Sequence, residues 1–150
     1  MSETVLGFDV GTRRIGVAVG NDLLRQARPA AIVVATEHDD GLAAITKLIR
    51  EWLPERLVVG IPLPIETAGA PTRPSPAFAR CERFAVTLGQ RFRLPVERVD
   101  ERYSSIDADQ LHRDRRQAGL VRRAKALDDV AAEVILQRYF DALPIREGSS

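Results

Sequence analysis

The sequence predicts an α/β fold in which a mixed five-stranded sheet carries helices on both faces. Three short runs rich in Val and Ile come first, within residues 4–36, and are typical of consecutive strands. Helix-periodic segments then alternate with short apolar runs, which predicts parallel strands joined by crossover helices. The 150 residues are 45% hydrophobic and 29% charged, a composition typical of a globular domain. We expect a single domain that spans residues 1–150.

The first half of the chain begins with three predicted strands. Residues 4–10 and 14–19 flank the turn GTR and form a strand pair, and residues 30–36 form the third strand. In the segment that follows, DDGLAAITKLIREW, apolar residues recur at helical spacing. We expect Asp39 or Asp40 to cap the start of that helix.

The second half continues with a strand, a proline-rich loop and another helix. Residues 56–61 form a continuous apolar run, which is typical of a strand covered on both faces. Five of the nine prolines fall within residues 62–76 and exclude regular structure there. Ser75 and Pro76 then supply a cap and a first residue for a helix, and residues 95–100 form the fifth strand.

Two further helices are predicted at residues 104–119 and 126–142. The complete order of elements is therefore β-β-β-α-β-α-β-α-α. Three hairpin-connected strands followed by crossover-connected strands are the order of the ribonuclease H-like fold. We therefore expect an α/β protein with an RNase H-like mixed sheet.

Acidic residues occupy unusual places in this predicted fold. Asp9 lies inside the first apolar run, and Glu101 comes directly after the fifth strand. In the last helix, Asp128 shares a face with alanines and Ile135, and an unpartnered carboxylate on such a face is costly.

The neighbouring Asp129 differs from Asp128 in its position around the last helix. It lies in line with Glu133 and Gln137. We expect these three residues to form an ordinary solvated polar stripe.

The three unusual acids are predicted to converge. Ligand sites in such sheets gather at strand ends, and like charges at close range need a counter-ion. Oxygen-only ligation favours a hard cation, so we predict Mg²⁺ or Mn²⁺ held by Asp9, Glu101 and Asp128. Two such ions can activate a water and stabilise the leaving oxygen in phosphodiester cleavage. The alternative for Asp128 is a salt bridge to a buried arginine such as Arg13 or Arg102.

Basic residues predict contact with nucleic acid. The segment 111–125 is strongly positive and leads into the last helix, and a second basic pair follows Asp9. Such residues supply sequence-independent affinity for phosphates. The predicted nucleic-acid-binding residues are Arg13, Arg14, Arg113, Arg115, Arg116, Arg122, Arg123 and Lys125. The alternatives are a solvated face for the long segment and a salt bridge for one of the first two arginines.

Four ordered motifs resemble those of the YqgF family, also called RuvX. The motifs are GFDVGTRRIGVAV, LVVGIPL, VDERYSS and LDDVAAEVILQRYF. The resemblance implies an RNase H-like, metal-dependent nuclease that processes the 5′ end of pre-16S rRNA or cleaves branched DNA of the Holliday-junction type. It also implies that Asp9, Glu101 and Asp128 are the catalytic acids.

Two departures keep a second function open. Gly60 and Ile61 stand where related resolvases carry an acid at the end of the fourth strand, and Lys125 stands one turn before the last acid. A non-catalytic nucleic-acid-binding protein on the same fold is therefore the alternative. An ATP-binding module of the sugar-kinase type is disfavoured because it needs two such domains.

Cysteine usage and symmetry give two further expectations. A single cysteine and the absence of a recognisable signal peptide predict a cytoplasmic protein. A four-way junction offers two equivalent cleavage positions, which makes a homodimer a plausible assembly.

Overall fold

The computed structural model describes residues 2–36, 40–62, 75–101 and 127–144, and within this last range the side chains of residues 127–129 lie outside the description. The predicted helix at residues 104–119 and the basic segment 111–125 therefore fall outside the described residues.

Five strands form one mixed sheet. They are β1 (Thr4–Val10), β2 (Arg14–Asn21), β3 (Arg28–Val34), β4 (Arg56–Ile61) and β5 (Val96–Asp100). Their spatial order is β3-β2-β1-β4-β5. The first three strands pair antiparallel, whereas β4 runs parallel to both β1 and β5. The predicted mixed five-stranded sheet is confirmed.

Within the described ranges, three helices cover the two faces of this sheet. They are α1 (Leu42–Trp52), α2 (Pro76–Phe92) and α3 (Leu127–Ala142). The apolar residues of α1 and α2 join the core on one face, and those of α3 join the core on the other. Among the described residues, no helix is long and apolar enough to cross a membrane.

The β2–β3 connection is shorter than the sequence pattern predicts, because β2 ends later and β3 starts earlier. β2 extends to Asn21, and β3 occupies residues 28–34 rather than 30–36. The side-chain oxygen of Asn21 accepts hydrogen bonds from the backbone N–H groups of Leu23 and Leu24, at 3.1 and 2.7 Å. This local turn fixes where β2 ends.

The start of α1 differs from the predicted acidic cap. Gly41 is the N-cap, with φ of 82°, a left-handed conformation that glycine adopts without a steric penalty. Asp40 still contributes, because its carboxylate accepts a hydrogen bond from the N–H of Leu42 at 3.1 Å. By contrast, α2 begins as predicted, with the Ser75 hydroxyl accepting from the N–H of Phe78 at 3.1 Å.

The core beneath α1 and α2 is formed by the even-numbered residues of β1 and by its neighbours. Leu6 and Phe8 are fully buried there, and the Phe8 ring meets Phe84 edge-on with centroids 5.6 Å apart. Cys81 belongs to the same cluster, as its place on the apolar stripe of α2 predicts.

The opposite face of the sheet packs closely against α3. Val5 and Val58 contact Ile135 and Leu136 in a second buried cluster. A Cβ placed on Gly7 would lie 2.8 Å from the Cβ of Leu136. The absence of a side chain at Gly7 is therefore what lets α3 approach β1.

The predicted solvated stripe on α3 is wrong for two of its members. Glu133 is only 5% exposed. Gln137 accepts from the N–H of Ala27 at 3.1 Å and donates to the carbonyl of Arg25 at 2.9 Å. The β2–β3 connection lies against α3. A helix face that a helical projection of the sequence places in solvent is therefore covered by residues that are distant in sequence.

We predict that Gly7→Ala destabilises the protein, because the added methyl collides with the Cβ of Leu136, which has no freedom to rotate away. The expected loss is about 1–3 kcal/mol, the usual cost of overpacking a core. Chemical denaturation of the two proteins measures it.

Gly89→Ala is the matched control. Gly89 lies within α2, and its added methyl makes only ordinary contacts, the nearest 3.5 Å away. Alanine is favoured over glycine in helices by about 1 kcal/mol, so this variant should be at least as stable as the parent. Equal effects of the two substitutions would contradict the close approach at Gly7.

Candidate active site

Asp9 and Glu101 are brought to one edge of the sheet by the paired strands. Asp9 is the sixth residue of β1 and, by strand alternation, shares the α3 face with Val5 and Gly7. Glu101 follows β5 directly, and its N–H donates to the carbonyl of Ile61 at 3.0 Å. This bond continues the β4–β5 ladder and fixes the backbone from which the Glu101 side chain extends.

Gly60 separates the two acids and leaves room for them to meet. It lies on β4, between β1 and β5. A Cβ at Gly60 would lie 2.9 Å from Oε2 of Glu101 and would collide with the Cδ1 methyl of Ile135. The Glu101 carboxyl therefore lies over the bare backbone of Gly60, reaching toward Asp9.

The two carboxyl groups share a hydrogen bond, and the pKa of Glu101 is raised to about 8. Burial of the group is the largest cause, followed by the negative charge of Asp9 and the hydrogen bond to it. The positive charge of Arg80 acts in the opposite direction. At neutral pH Glu101 is therefore mostly protonated and donates to Asp9.

Cys81 lies near this pair but is not a nucleophile. Its thiol is buried and lies 3.9 Å from the carbonyl oxygen of Val10. Burial, and then the negative charge of Glu101, raise the pKa of Cys81 to about 12. A thiol that stays protonated is inert, so Cys81 serves packing.

The third predicted acid, Asp128, lies in the first turn of α3. Its side chain is outside the described part of the molecule. The helix backbone places residue 128 seven positions, or about two turns, before Ile135. Because Ile135 is the residue that closes over Gly60, this face of α3 is the one turned toward the acid pair.

The predicted basic residues are only partly within the described structure. Arg13 and Arg14 are exposed at the turn that follows β1, close along the chain to Asp9. The other six, Arg113, Arg115, Arg116, Arg122, Arg123 and Lys125, lie outside the described residues.

Two residues of the site were not recognised in the sequence. Gly60 reads there as a missing acid, whereas the structure makes it the space that lets Glu101 approach from the next strand. Arg80 reads as an ordinary helix charge, yet it lies close enough to Glu101 to lower the pKa of that carboxyl. The signal for Arg80 in the sequence was its position directly before Cys81, which is buried.

The donor set at this edge suits a hard cation. Two half-buried carboxyls are held together although their ionised forms would repel each other. A bound cation would remove that repulsion. Both donors are oxygen, which favours Mg²⁺ or Mn²⁺ over softer metals. Within the described residues, no group of three or more His, Cys, Asp or Glu side chains is gathered.

We predict that Glu101→Gln makes the metal-free protein less sensitive to pH. Because the folded-state pKa of Glu101 is about 8 against an ordinary 4.5, the unfolded state ionises first as pH rises. The stability contributed by protonated Glu101 is complete below pH 4.5 and is lost as pH rises through about 8. A neutral amide keeps the hydrogen bond to Asp9 without this loss.

Thermal melts in EDTA across this pH range measure the effect. The difference in melting temperature between Glu101→Gln and the parent should grow in favour of the variant as pH rises, and Mg²⁺ should reduce it. A difference that stays constant with pH would contradict the raised pKa.

We predict that Gly60→Ala separates the two carboxyls, because its methyl occupies the space beside Oε2 of Glu101. The pKa of Glu101 should then fall toward its ordinary value, as measured by carbon-detected NMR titration. Gly7→Ala is the control, since it also presses on α3 but touches Leu136 instead. A lowered Glu101 pKa in both variants would show that displacement of α3, rather than loss of the space at Gly60, is responsible.

Comparison with known proteins identifies relatives of this chain. The sequence profile of the RuvX family, described as Holliday junction resolvase, matches residues 3–142. A Bordetella parapertussis protein named "Putative pre-16S rRNA nuclease" is 46% identical over 142 residues, covering 95% of this chain and 96% of that protein. A Burkholderia mallei protein of the same name is 47% identical over 144 residues, covering 94% and 90%.

Solved structures share the fold at much lower identity. RuvC of T. thermophilus in complex with a Holliday junction substrate matches with a TM-score of 0.61 at 16% identity, over 93% of this chain and 94% of that one. The fowlpox virus Holliday junction resolvase matches with 0.55 at 16%, over 94% and 99%. These neighbours confirm the predicted RNase H-like architecture. Given the profile match and the identity to its relatives, this chain belongs to the RuvX family.

Proposed function

We propose that this protein is a divalent-metal-dependent nuclease that hydrolyses phosphodiester bonds in structured nucleic acid. The observation that carries the proposal is the pairing of Asp9 and Glu101 across Gly60. Two carboxyls held together at a strand end, against their mutual repulsion, have little structural value by themselves. Membership of the RuvX family supports the same reading.

Asp9 and Glu101 would hold the cation, which is Mg²⁺ or Mn²⁺ in our proposal. A bound ion of this kind supplies Lewis-acid chemistry for phosphodiester hydrolysis. The chain prepares the site by fixing both carboxyl backbones in the sheet and by covering them with Ile135. Ligation requires Glu101 to release its proton, so the affinity for the cation should rise as pH rises toward about 8.

Asp128 is assigned as the third acid. Its support is its position in the first turn of α3, on the helix that packs over the acid pair. The salt bridge to Arg13 or Arg102 is the alternative role for Asp128.

The substrate is proposed from charge and from the relatives. Arg13 and Arg14, together with the basic segment 111–125, would contact phosphates on either side of the cleavage position. The relatives are named for pre-16S rRNA and for the Holliday junction. We therefore propose processing of the 5′ end of pre-16S rRNA, resolution of branched DNA, or both.

The cellular setting is part of the same proposal. We place the protein in the cytoplasm, as a single nuclease domain, and on a four-way junction as a homodimer. The lone buried thiol of Cys81 is compatible with a reducing compartment.

A non-catalytic nucleic-acid-binding role is the second candidate. It is favoured by the absence of an acid at Gly60 and by the presence of Lys125 three residues before Asp128 in the sequence. It predicts tight binding without cleavage under any metal condition.

We predict that Asp9→Asn abolishes cleavage while leaving binding intact. Loss of a direct metal ligand should cost more than the roughly 100-fold that follows loss of an outer-shell partner. End-labelled precursor rRNA and a four-way DNA junction are each incubated with Mg²⁺, Mn²⁺ or EDTA. Metal-dependent cleavage that disappears in Asp9→Asn supports the nuclease, and the substrate that is cut identifies its class.

The adjacent acids of α3 provide a matched pair. Asp128→Asn should lose cleavage and keep binding, whereas Asp129→Asn should change little. Equal losses in both variants would remove Asp128 from the site. Binding without cutting in every metal would favour the second candidate.

A further inference from the structure

A cavity of about 410 Å³ opens beside the end of β1, on the sheet face opposite to α3. The turn after β1 forms one wall, the middle of α2 forms a second, and residues that follow β3 and begin α1 complete the lining. Its polar lining comes from Thr12, Thr36, Asp40, Arg80, Arg83 and Thr87. The cavity begins at Val10 and Gly11, the two residues that follow Asp9.

The charges of this cavity favour an anion. Arg80 and Arg83 contribute two positive charges against the one negative charge of Asp40. The Asp40 carboxylate is engaged by the N–H of Leu42 at 3.1 Å. Arg83 is exposed, so its guanidinium is accessible to a ligand at the mouth.

Arg80 connects this cavity to the acid pair. Its Nε is buried, and no acceptor in the described part of the chain bonds to it. A buried guanidinium nitrogen left in this state is costly, unless a ligand supplies the acceptor. The same side chain lies within electrostatic range of Glu101.

We propose that this cavity binds a phosphate group of the substrate strand, next to the phosphodiester that is cleaved, through Arg80 and Arg83. The inference rests on the proposed nuclease function and adds to it the path of the strand. The strand would pass over the end of β1, from the acids on one face of the sheet to the arginines on the other.

The shape and chemistry of the cavity suit a backbone phosphate. One guanidinium group can donate two N–H hydrogen bonds to two oxygens of a phosphate, and it keeps its positive charge at all working pH values. Threonine hydroxyls supply neutral donors, and the apolar lining of Val10, Ile15 and Phe84 can accommodate an attached sugar. Nothing in this lining distinguishes one base from another, so the contact should be independent of sequence.

The test measures binding rather than cleavage, so it remains informative if the nuclease proposal fails. Affinity for a single-stranded RNA and for a four-way DNA junction is measured in EDTA at several salt concentrations. For Arg83→Gln, the slope of log affinity against log salt should become shallower by about 0.7–0.9, the change for one lost phosphate contact.

Arg91→Gln is the control, because Arg91 is also an exposed arginine, lies in the last turn of the same helix and is absent from the cavity lining. Its effect on the slope should be clearly smaller. Arg80→Gln should match Arg83→Gln if it folds, as judged by thermal melting. Arg83→Gln keeps the proposal testable if Arg80→Gln does not fold.

A second measurement locates the phosphate. Single phosphates of the RNA are replaced by neutral methylphosphonates, and the position that weakens binding of the parent protein should have no further effect in Arg83→Gln. Three outcomes would overturn the proposal. The salt slope of Arg83→Gln could equal that of the parent, or its loss of slope could be no larger than that of Arg91→Gln. In the methylphosphonate scan, the losses of affinity from the substitution and from the neutral phosphate could be additive. Inorganic phosphate that competes as well as the strand would reduce the site to a free-anion site and overturn it too.

Discussion

The repulsion between Asp9 and Glu101 is the constraint around which this molecule is organised. Burial first, and then the negative charge of Asp9, raise the pKa of Glu101, so the two neighbouring carboxyls do not both stay ionised at neutral pH. The surrounding sheet must hold them there despite this cost. It does so by fixing one acid within β1 and the other at the first position after β5.

The packing of α3 makes that arrangement possible. Gly7 and Gly60 both lack the methyl that would push the helix away, and both face α3 residues that are fully buried. The absence of a side chain at Gly60 also leaves space for the Glu101 carboxyl. A single glycine thus serves the helix–sheet contact and the acid pair together. On our proposal, Glu101 reaches over from the next strand and takes the place of an acid at this strand position.

The sequence predicts the sheet, its two helical layers and the convergence of Asp9 with Glu101, because strand order alone brings the ends of β1 and β5 to one edge. It fails where burial depends on distant chain. Glu133 projects onto a polar stripe, but the structure buries it, and Gln137 bonds to the β2–β3 connection. Arg80 has no distinguishing spacing, and only the fold shows that it lies between the acids and a cavity.

The two faces of the sheet carry opposite charges at the same end. Protonation of Glu101 limits the negative charge on the α3 face, and the positive charge of Arg80, which favours ionisation of Glu101, partly offsets the negative charge that remains. A polyanion approaching this edge therefore meets less repulsion than two free carboxylates would impose. On our proposal, a cation replaces the proton on one face while phosphate accepts from Arg80 on the other. The cation then meets carboxyl charge, and the phosphate meets guanidinium charge, that the folded chain leaves only partly compensated. Binding of the substrate and binding of the metal should therefore strengthen each other.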